Sequence, residues 1–569
     1  MILFSRDTFD FARRPDWLKK VAWVSLGLLI AQRLHGPLQD PDLWWHLAVG
    51  REIISSGALL RHDVFSHPLA GRPWINGDWL IDVVAHAGQH AFGFGGLWLA
   101  RLVVGLALYG VVALGARRLL GGSPVAFLLV FLGTVTLGVR PLERPETVSL
   151  LCLAMLILIF QRARRHETVR RGGLVGLVLI QTVWVNSHGA FAFGPIAAGL
   201  LWLGALAARE DRGYSRWLLI STTLLSTACL ANPWGWSMFT ILTEHAAQWP
   251  DSRTLIAEWA FPHPLKTPAY WGLFLLTAGV LGNGLRRGQR DALFWAPLVA
   301  GFGALTFSTI RSTAYLPIVA LPALADALGP ATLPGRDPVS RTHRGLWALC
   351  CLAVPLQIWA WGGFRWRGVV EWSRWPVRAC RFVDRAGLAG NMFNAYDDGG
   401  FLTWYFGRRR PDFIDGRYLF QPLLVRQSRM LDAVSVPGNR NPWPDFLGEH
   451  HIEFAVVPDL FPDHEFFETE PTPFPLKALN VMFPRRGWSL VYWDERYYVF
   501  VRRNSVNQRV VDERGAESLW PYNPEQTRFL LSTAQIDRTR MDRDMARHNN
   551  DRAAPRAPDG PFGQRPFSE

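Results

Sequence analysis

Lysine is almost missing from this chain. Only Lys19, Lys20, Lys266 and Lys477 stand among the 60 Lys and Arg of 569 residues, so the formal charge of +13 is carried by arginine. Cysteine is scarce too. Of the five, Cys152, Cys229, Cys350 and Cys351 fall inside apolar runs and Cys380 stands alone in the polar part, which leaves no disulfide framework. No Walker loop, dinucleotide-binding glycine pattern, nucleophile elbow or internal repeat stands out, so nucleotide and simple hydrolase chemistry lose their usual signatures. The arginines sit in short clusters between apolar runs. That is how a multispanning protein marks its cytoplasmic loops, and it argues against a nucleic-acid partner.

What is present is apolar and unevenly spread: hydrophobic residues are 49% of the chain, with 27 Trp and 35 Phe. Up to about residue 361 long apolar runs follow one another, and beyond it the sequence is polar and mixed. A membrane part plus a soluble part follows from that contrast. The runs lie near 21–34, 97–116, 124–139, 147–160, 174–187, 190–208, 217–231, 269–285, 292–308, 313–328 and 345–361, which predicts about eleven transmembrane helices. Arg13, Arg14, Lys19 and Lys20 precede the first run and predict a cytoplasmic N-terminus and an uncleaved first helix. With eleven spans, the clusters around Arg117, Arg164, Arg212, Arg287 and Arg341 all fall on the cytoplasmic side.

The same topology turns the 35–96 loop outward, and its apolar residues recur at helical spacing in two stretches, predicting amphipathic helices along the membrane surface. After the membrane domain 1–361 the text predicts a soluble α/β domain over 362–503: a helix in WPVRACRFVDRAG, strands in NMFNAY, PDFIDG and IEFAVVPD, and a hairpin in WSLVYWDERYYVFVRR. Residues 504–569 form a polar tail, partly disordered by composition. The fold class expected is thus a mainly α-helical polytopic membrane protein with a C-terminal α/β domain.

Ionisable and amide side chains at membrane depth are costly and need a reason when they gather at one level. On the outer side the topology gathers Asp40, Asp42 and His46 after the first span, Arg140, Glu143, Arg144 and Glu146 in the third-to-fourth turn, Asn186 and His188 between the fifth and sixth spans, then Asn232, Glu258 and Arg311. Arginines at outer ends run against the positive-inside bias, so Arg140, Arg144 and Arg311 are candidates for holding an anion. A guanidinium presents paired donors that match phosphate oxygens. Carboxylates beside such a site suit general-base work on an incoming hydroxyl.

Each residue also has a bland role open to it. Asp42 is a good N-cap for the helix it opens, with Trp44 and Trp45 as interface anchors. His46 suits an interfacial position, Arg140 and Arg144 suit a local network with Glu143 and Glu146, and the Asn-Pro at Asn232 and the pair Gly399 and Gly400 are turn signals. The histidines of the outer loop lack the tight spacing of a zinc site.

The stretch DPDLWWHLAVGREIISSGALLRHDVFSHPLAGRPWINGDWL resembles the first periplasmic loop of bacterial multispanning class C glycosyltransferases, relatives of protein mannosyltransferases and oligosaccharyltransferases. Asp63-Val-Phe-Ser66 matches the D-x-F-S segment of that loop, and RPETVSLL, VWVNSHGAF, NPWG, EWAFP, STIRSTAYLPIVALP, DDGGFLTWYF and FIDGR fit later stretches, so the resemblance covers roughly residues 15–503. It implies an inner-membrane glycosyltransferase that passes a sugar from a polyprenyl phosphate to a glycan, lipid or protein acceptor on the periplasmic face, with inversion. The loop's catalytic acid would fall on Asp42 or Asp40, and the lipid phosphate on Arg311, Arg144 or Arg140. His46, Asn186, His188, Glu258 and Asp78 would contact substrate, and Mg or Mn remains open as a cofactor. This chain has Asp-Pro-Asp where relatives show adjacent acidic residues, and Asp78 where many show Glu. The rival expectation is a non-catalytic protein that binds a lipid carrier or anchors an envelope assembly.

Overall fold

Helices form at all eleven apolar runs of the sequence. The computed structural model describes residues 16–120, 123–138, 143–328, 341–364, 368–434, 440–459, 477–516 and 519–552. Its contacts divide the chain into two units, Met1–Leu38 with Leu97–Val369, and Gln39–Gly96 with Val370–Glu569.

In the first unit the runs are the helices Asp16–His35, Pro124–Leu137, Glu146–Ala163, Glu167–Val185, Phe193–Ala207, Arg212–Ala228, Pro268–Arg286, Arg290–Thr306, Tyr315–Leu328 and Arg341–Ala360, together with the end of Trp79–Gly115. Among the described residues three helices are long and apolar enough to cross a membrane, Trp79–Gly115, Glu146–Ala163 and Gly189–Ala207, with Pro124–Leu137 and Arg344–Ala360 shorter but apolar. The helices at the remaining runs fall short of that length or apolarity, so by length and composition alone the described residues do not establish the count of eleven. The helix Trp79–Gly115 joins two pieces that the sequence suggested as separate, a surface helix and a span, with a break at Gly93, where φ is 64° and ψ −169°. Only glycine adopts that conformation without strain.

Polar groups mark both ends of the helix Glu146–Ala163. Just past its C-terminal end Arg164 pairs with Glu210 at 2.6 Å and Asp291 at 2.5 Å, while Arg165 pairs with buried Asp326, which also accepts from Gln161 and Trp295. Residues from several arginine clusters therefore meet at one end of this unit. Eighteen residues at ~1.5 Å each separate that end from Glu146, roughly 27 Å, close to the ~30 Å of a hydrocarbon core.

In the second unit a four-stranded sheet runs in the order β1 (Asn391–Asn394), β2 (Ile452–Pro458), β4 (Tyr497–Arg502), β3 (Trp488–Trp493). β1 is parallel to β2 and the rest are antiparallel, with Val456 opposite Val499 and Leu490 opposite Phe500. Side chains on both faces are buried, which explains the unbroken apolar runs of these strands. The expected hairpin is present. Asp494 closes it by accepting from the backbone N–H groups of Arg496 and Tyr497, each at 2.9 Å, and from the Tyr492 hydroxyl.

Two local expectations are corrected. PDFIDG is a buried loop touching Ser66 through an isolated bridge at Asp412, because Asn394 takes the backbone groups a strand partner would use: it donates to Ile414 O and accepts from Phe413 N. Gly399 and Gly400 lie inside the helix Tyr396–Phe406, where close packing and not a turn requires glycine. This helix packs on Asp42–Ser56, so the first long loop and the chain after 370 share one core.

Candidate functional site

In the second unit the Asp-Pro-Asp segment opens the helix Asp42–Ser56, with Pro41 at its N-cap. Asp40 is buried and its Oδ1 accepts from the backbone N–H of Asp42 at 2.9 Å. Asp42 is half-buried as the first helical residue, and its Oδ1 accepts from Trp45 Nε1 at 3.3 Å. The capping role open to Asp42 is not taken, since Pro41 stands at the N-cap and Asp40 accepts from the first helical N–H, and the Asp42 carboxylate instead accepts from an indole. Gly416 lies against it: a Cβ there would sit 2.1 Å from Asp42 Oδ1 and 3.3 Å from Trp45 Nε1.

His46, one turn along, is buried and not interfacial. Its Nδ1 lies 2.5 Å from Asp82 Oδ1, and Asp82 Oδ2 accepts from Asn76 at 2.6 Å. Burial opposes charge on this imidazole, but Asp82, with smaller contributions from Asp78 and Asp42, lifts its pKa above the ordinary histidine value. Asp78, half-buried, is one of the carboxylates that act on His46 in this way.

Next to these groups sits an ion cluster that sequence reasoning missed. Arg417 pairs with Asp63 at 2.7 Å and Asp415 at 2.7 Å, and its guanidinium lies 4.9 Å from the Trp74 ring centre. Burial works against its charge, yet Asp415 and Asp63 more than offset this and raise its pKa. Asp63 also accepts from Ser66 Oγ at 2.6 Å, so the D-x-F-S and F-I-D-G-R motifs are two halves of one network. Both motifs were visible, but nothing in either indicates its partner some 350 residues away.

In the first unit the polar groups at the Glu146 end form a second constellation. Arg144 Nη1 donates to both oxygens of Glu258, at 2.8 and 2.9 Å. Arg311 lies 3.2 Å from Glu146 and 3.7 Å from Glu258, with its Nη2 3.3 Å from His188 Nε2. His188 Nδ1 in turn meets Ser149 Oγ at 2.8 Å, which accepts from Trp184. Burial disfavours the charge on Arg311, but Glu146 and Glu258 outweigh it and its pKa is raised. It therefore stays cationic while anchored by carboxylates and able to offer further N–H donors to an anion.

The local pairing open to Arg144 is not the one formed. Its partner is 114 residues away, Glu143 pairs with Arg101 at 3.5 Å, and Glu146 turns to Arg311. Asn186 donates to Thr182 O and Ala231 O, tying two chain segments together, and Asn232 makes the turn its Asn-Pro signals, accepting from Trp234 N. Arg140 lies outside the described residues. The structure thus brings together Asp40, Asp42, His46 and Asp78 in one unit and Arg144, His188, Glu258 and Arg311 in the other. Ser149, Trp184, Asp63, Asp82 and Arg417 are the additions.

Among the described residues no three His, Cys, Asp or Glu side chains gather as a metal cage. A Mg-type ion would be of the open kind, taking one or two carboxylates and completing its shell with water and phosphate. Asp42 and Asp40 are of that chemistry, although Asp40 is already occupied by a backbone N–H.

No protein-family model matches the chain, and no curated protein matches it. Among solved structures it is similar to the oligosaccharyltransferase of Archaeoglobus fulgidus tethered to an acceptor peptide, with a TM-score of 0.50 at 11% identity over 78% of this chain and 69% of that one. The same archaeal enzyme with an inhibitory peptide and a dolichol-phosphate gives 0.48 at 10% identity over 78% and 69%. ArnT from Cupriavidus metallidurans gives 0.45 at 17% identity over 85% and 97%. The first likeness is one of fold: the chain shares the fold of an oligosaccharyltransferase.

Proposed function

We propose that the protein is a membrane glycosyltransferase that moves a sugar from a polyprenyl-phosphate donor to an acceptor on the periplasmic face of a bacterial inner membrane, inverting the anomeric centre. The observation that carries this reading is Asp42: a half-buried carboxylate at the head of a helix, oriented by Trp45 and closely approached by Gly416, in a fold shared with an oligosaccharyltransferase.

The acceptor oxygen attacks the anomeric carbon, the bond from that carbon to the phosphate oxygen breaks, and the electron pair leaves on the phosphate. Asp42 takes the acceptor proton, with Asp40 fixing the backbone beneath it. Polyprenyl phosphate leaves as a stable anion, so no general acid is required. Arg311 and Arg144, with Arg140, are the groups assigned to the lipid phosphate, where N–H donors stabilise the growing charge. His188 and Glu258 orient those guanidiniums, His46 and Asp78 are assigned to substrate beside the Asp42 helix, and Asn186 braces the chain beside His188.

The test is sugar transfer by purified protein in nanodiscs over a panel of polyprenyl-phosphate sugars, with Asp42→Asn as the paired control. The parent should release free polyprenyl phosphate and the folded variant should lose at least ~100-fold of that rate, the lower end of what a general base supplies. Lipid binding without turnover under any donor, acceptor extract or divalent ion would instead establish the carrier-binding protein.

A further inference from the structure

The second unit holds a cavity that none of the motifs predicts. It lies between the segment Trp372–Arg378 and the turn joining β3 to β4, is about 260 Å³ in volume, and is lined by Trp372, Trp375, Arg378, Glu495, Arg496 and Tyr497 among others. Its walls are fixed by packing. Trp375 stacks on Phe401 at 5.7 Å with the rings 9° apart, and Trp372 meets Phe94 at 5.4 Å and Trp44 at 5.7 Å. Such a cluster costs no ordering when a ligand arrives.

The polar lining divides into groups that are committed and groups that are not. Asp494 is saturated by the turn, and Tyr497 is occupied by Arg374 O and Asp398. Trp375 is only 4% exposed, and its indole N–H has no hydrogen-bond partner among the described residues. That N–H is enclosed by the aromatic packing and is not open to the cavity, so the donors the cavity offers are the guanidinium groups of its lining. Arg496 is exposed at the rim, opposite the Arg378–Glu495 pair at 3.1 Å.

We propose that this cavity is a monosaccharide subsite that holds one pyranose ring. A pyranose has an apolar C–H face for the Trp372 indole and hydroxyls around its edge for a guanidinium and a carboxylate, which is the mixture lining this cavity. The volume lies just below the roughly 300–1,000 Å³ of drug-sized pockets, so one ring fits and a chain continues outward. An extended peptide lacks its usual means of attachment here. The backbone at this end of β4 is already paired, since Arg496 O accepts from Asp459 N and Tyr497 O from Asp494 N. The ring's role as part of a glycan acceptor rests on the transferase reading, whereas its binding does not.

The experiment is saturation-transfer NMR and calorimetry on the full chain in nanodiscs, without donor, against a panel of methyl pyranosides and short aromatic and acidic peptides. At least one pyranoside should bind saturably in the millimolar range. Trp372→Ala should weaken it about tenfold, as loss of the stacking ring predicts. Arg496→Ala, at an exposed position where folding is not at stake, should weaken it roughly threefold, and Asp42→Asn should leave it unchanged. No pyranoside binding at ~100 mM, affinity unchanged in the folded Trp372→Ala and Arg496→Ala variants, or saturable peptide binding alone would overturn the assignment. Pyranoside binding without transfer in any assay removes the transferase reading and leaves the subsite; transfer with an empty pocket does the reverse.

Discussion

A phenol has one proton, and Tyr497 has two acceptors for it. Its hydroxyl lies 2.7 Å from Arg374 O and 2.8 Å from Asp398 Oδ1, and Asp398 is buried with its other oxygen unpartnered. The conflict resolves if Asp398 carries a proton and donates it to Tyr497. Burial, and behind it Asp397, pushes the Asp398 carboxyl up to about 7, against the lowering effect of the Tyr497 hydrogen bond. An acid held more tightly protonated in the folded state stabilises that state fully below its unfolded value of 3.8, and the contribution is lost as pH rises through about 7. The unfolding midpoint of this unit should therefore fall between pH 4 and 7. Asp398→Asn, which keeps a donor toward Tyr497, should flatten that slope and exceed the parent at pH 8 by on the order of 3 kcal/mol. Thermal unfolding followed by near-UV circular dichroism across pH 4–8 checks this, and an equal slope in both proteins would place the proton elsewhere.

At the scale of elements, two glycines of one contact give opposite expectations. A Cβ at Gly399 would lie 1.8 Å from Ile414 O and 2.7 Å from Asp415 Cα, so the helix Tyr396–Phe406 and the buried loop must separate. Gly399→Ala should cost about 1–3 kcal/mol of stability, read as a lowered midpoint. A Cβ at Gly416 meets instead the end of the Asp42 side chain, which can swing aside. Gly416→Ala should leave the midpoint within roughly 1 kcal/mol and lower transfer by more than about tenfold, since displacing a base by an ångström costs that and more. Equal transfer in the parent and Gly416→Ala would detach Asp42 orientation from the reaction. The same contact shows what a sequence can tell. Apolar runs, the β3–β4 hairpin and the helix at Asp42 follow from local periodicity and turn chemistry. Gly399 reads as a turn because its reason for being glycine, a carbonyl on another segment, is not local. Asp63 with Arg417 and Arg144 with Glu258 were hidden for the same reason: a guanidinium gives no sign of which distant carboxylate it will choose.

Over the whole molecule, the first unit is assigned the lipid phosphate and the second the acceptor, and the charges of the first unit make that division testable. Glu258 holds both Arg144 and Arg311, so it occupies donors that a phosphate would use. Arg311→Gln should weaken polyprenyl-phosphate binding about tenfold, as loss of a charged hydrogen bond implies. Glu258→Gln removes a competing anion and should tighten the same binding several-fold while slowing transfer, because the guanidiniums lose their orientation. If Glu258→Gln also weakens binding, the carboxylate serves only to position the arginines. Pyranoside affinity should be unchanged in both, and Arg311→Gln combined with Trp372→Ala should show each single loss undiminished, as independent sites do. Calorimetric titration of the single and double variants with polyprenyl phosphate and a methyl pyranoside measures this. A loss of pyranoside binding in Arg311→Gln would mean that the two units share one binding event.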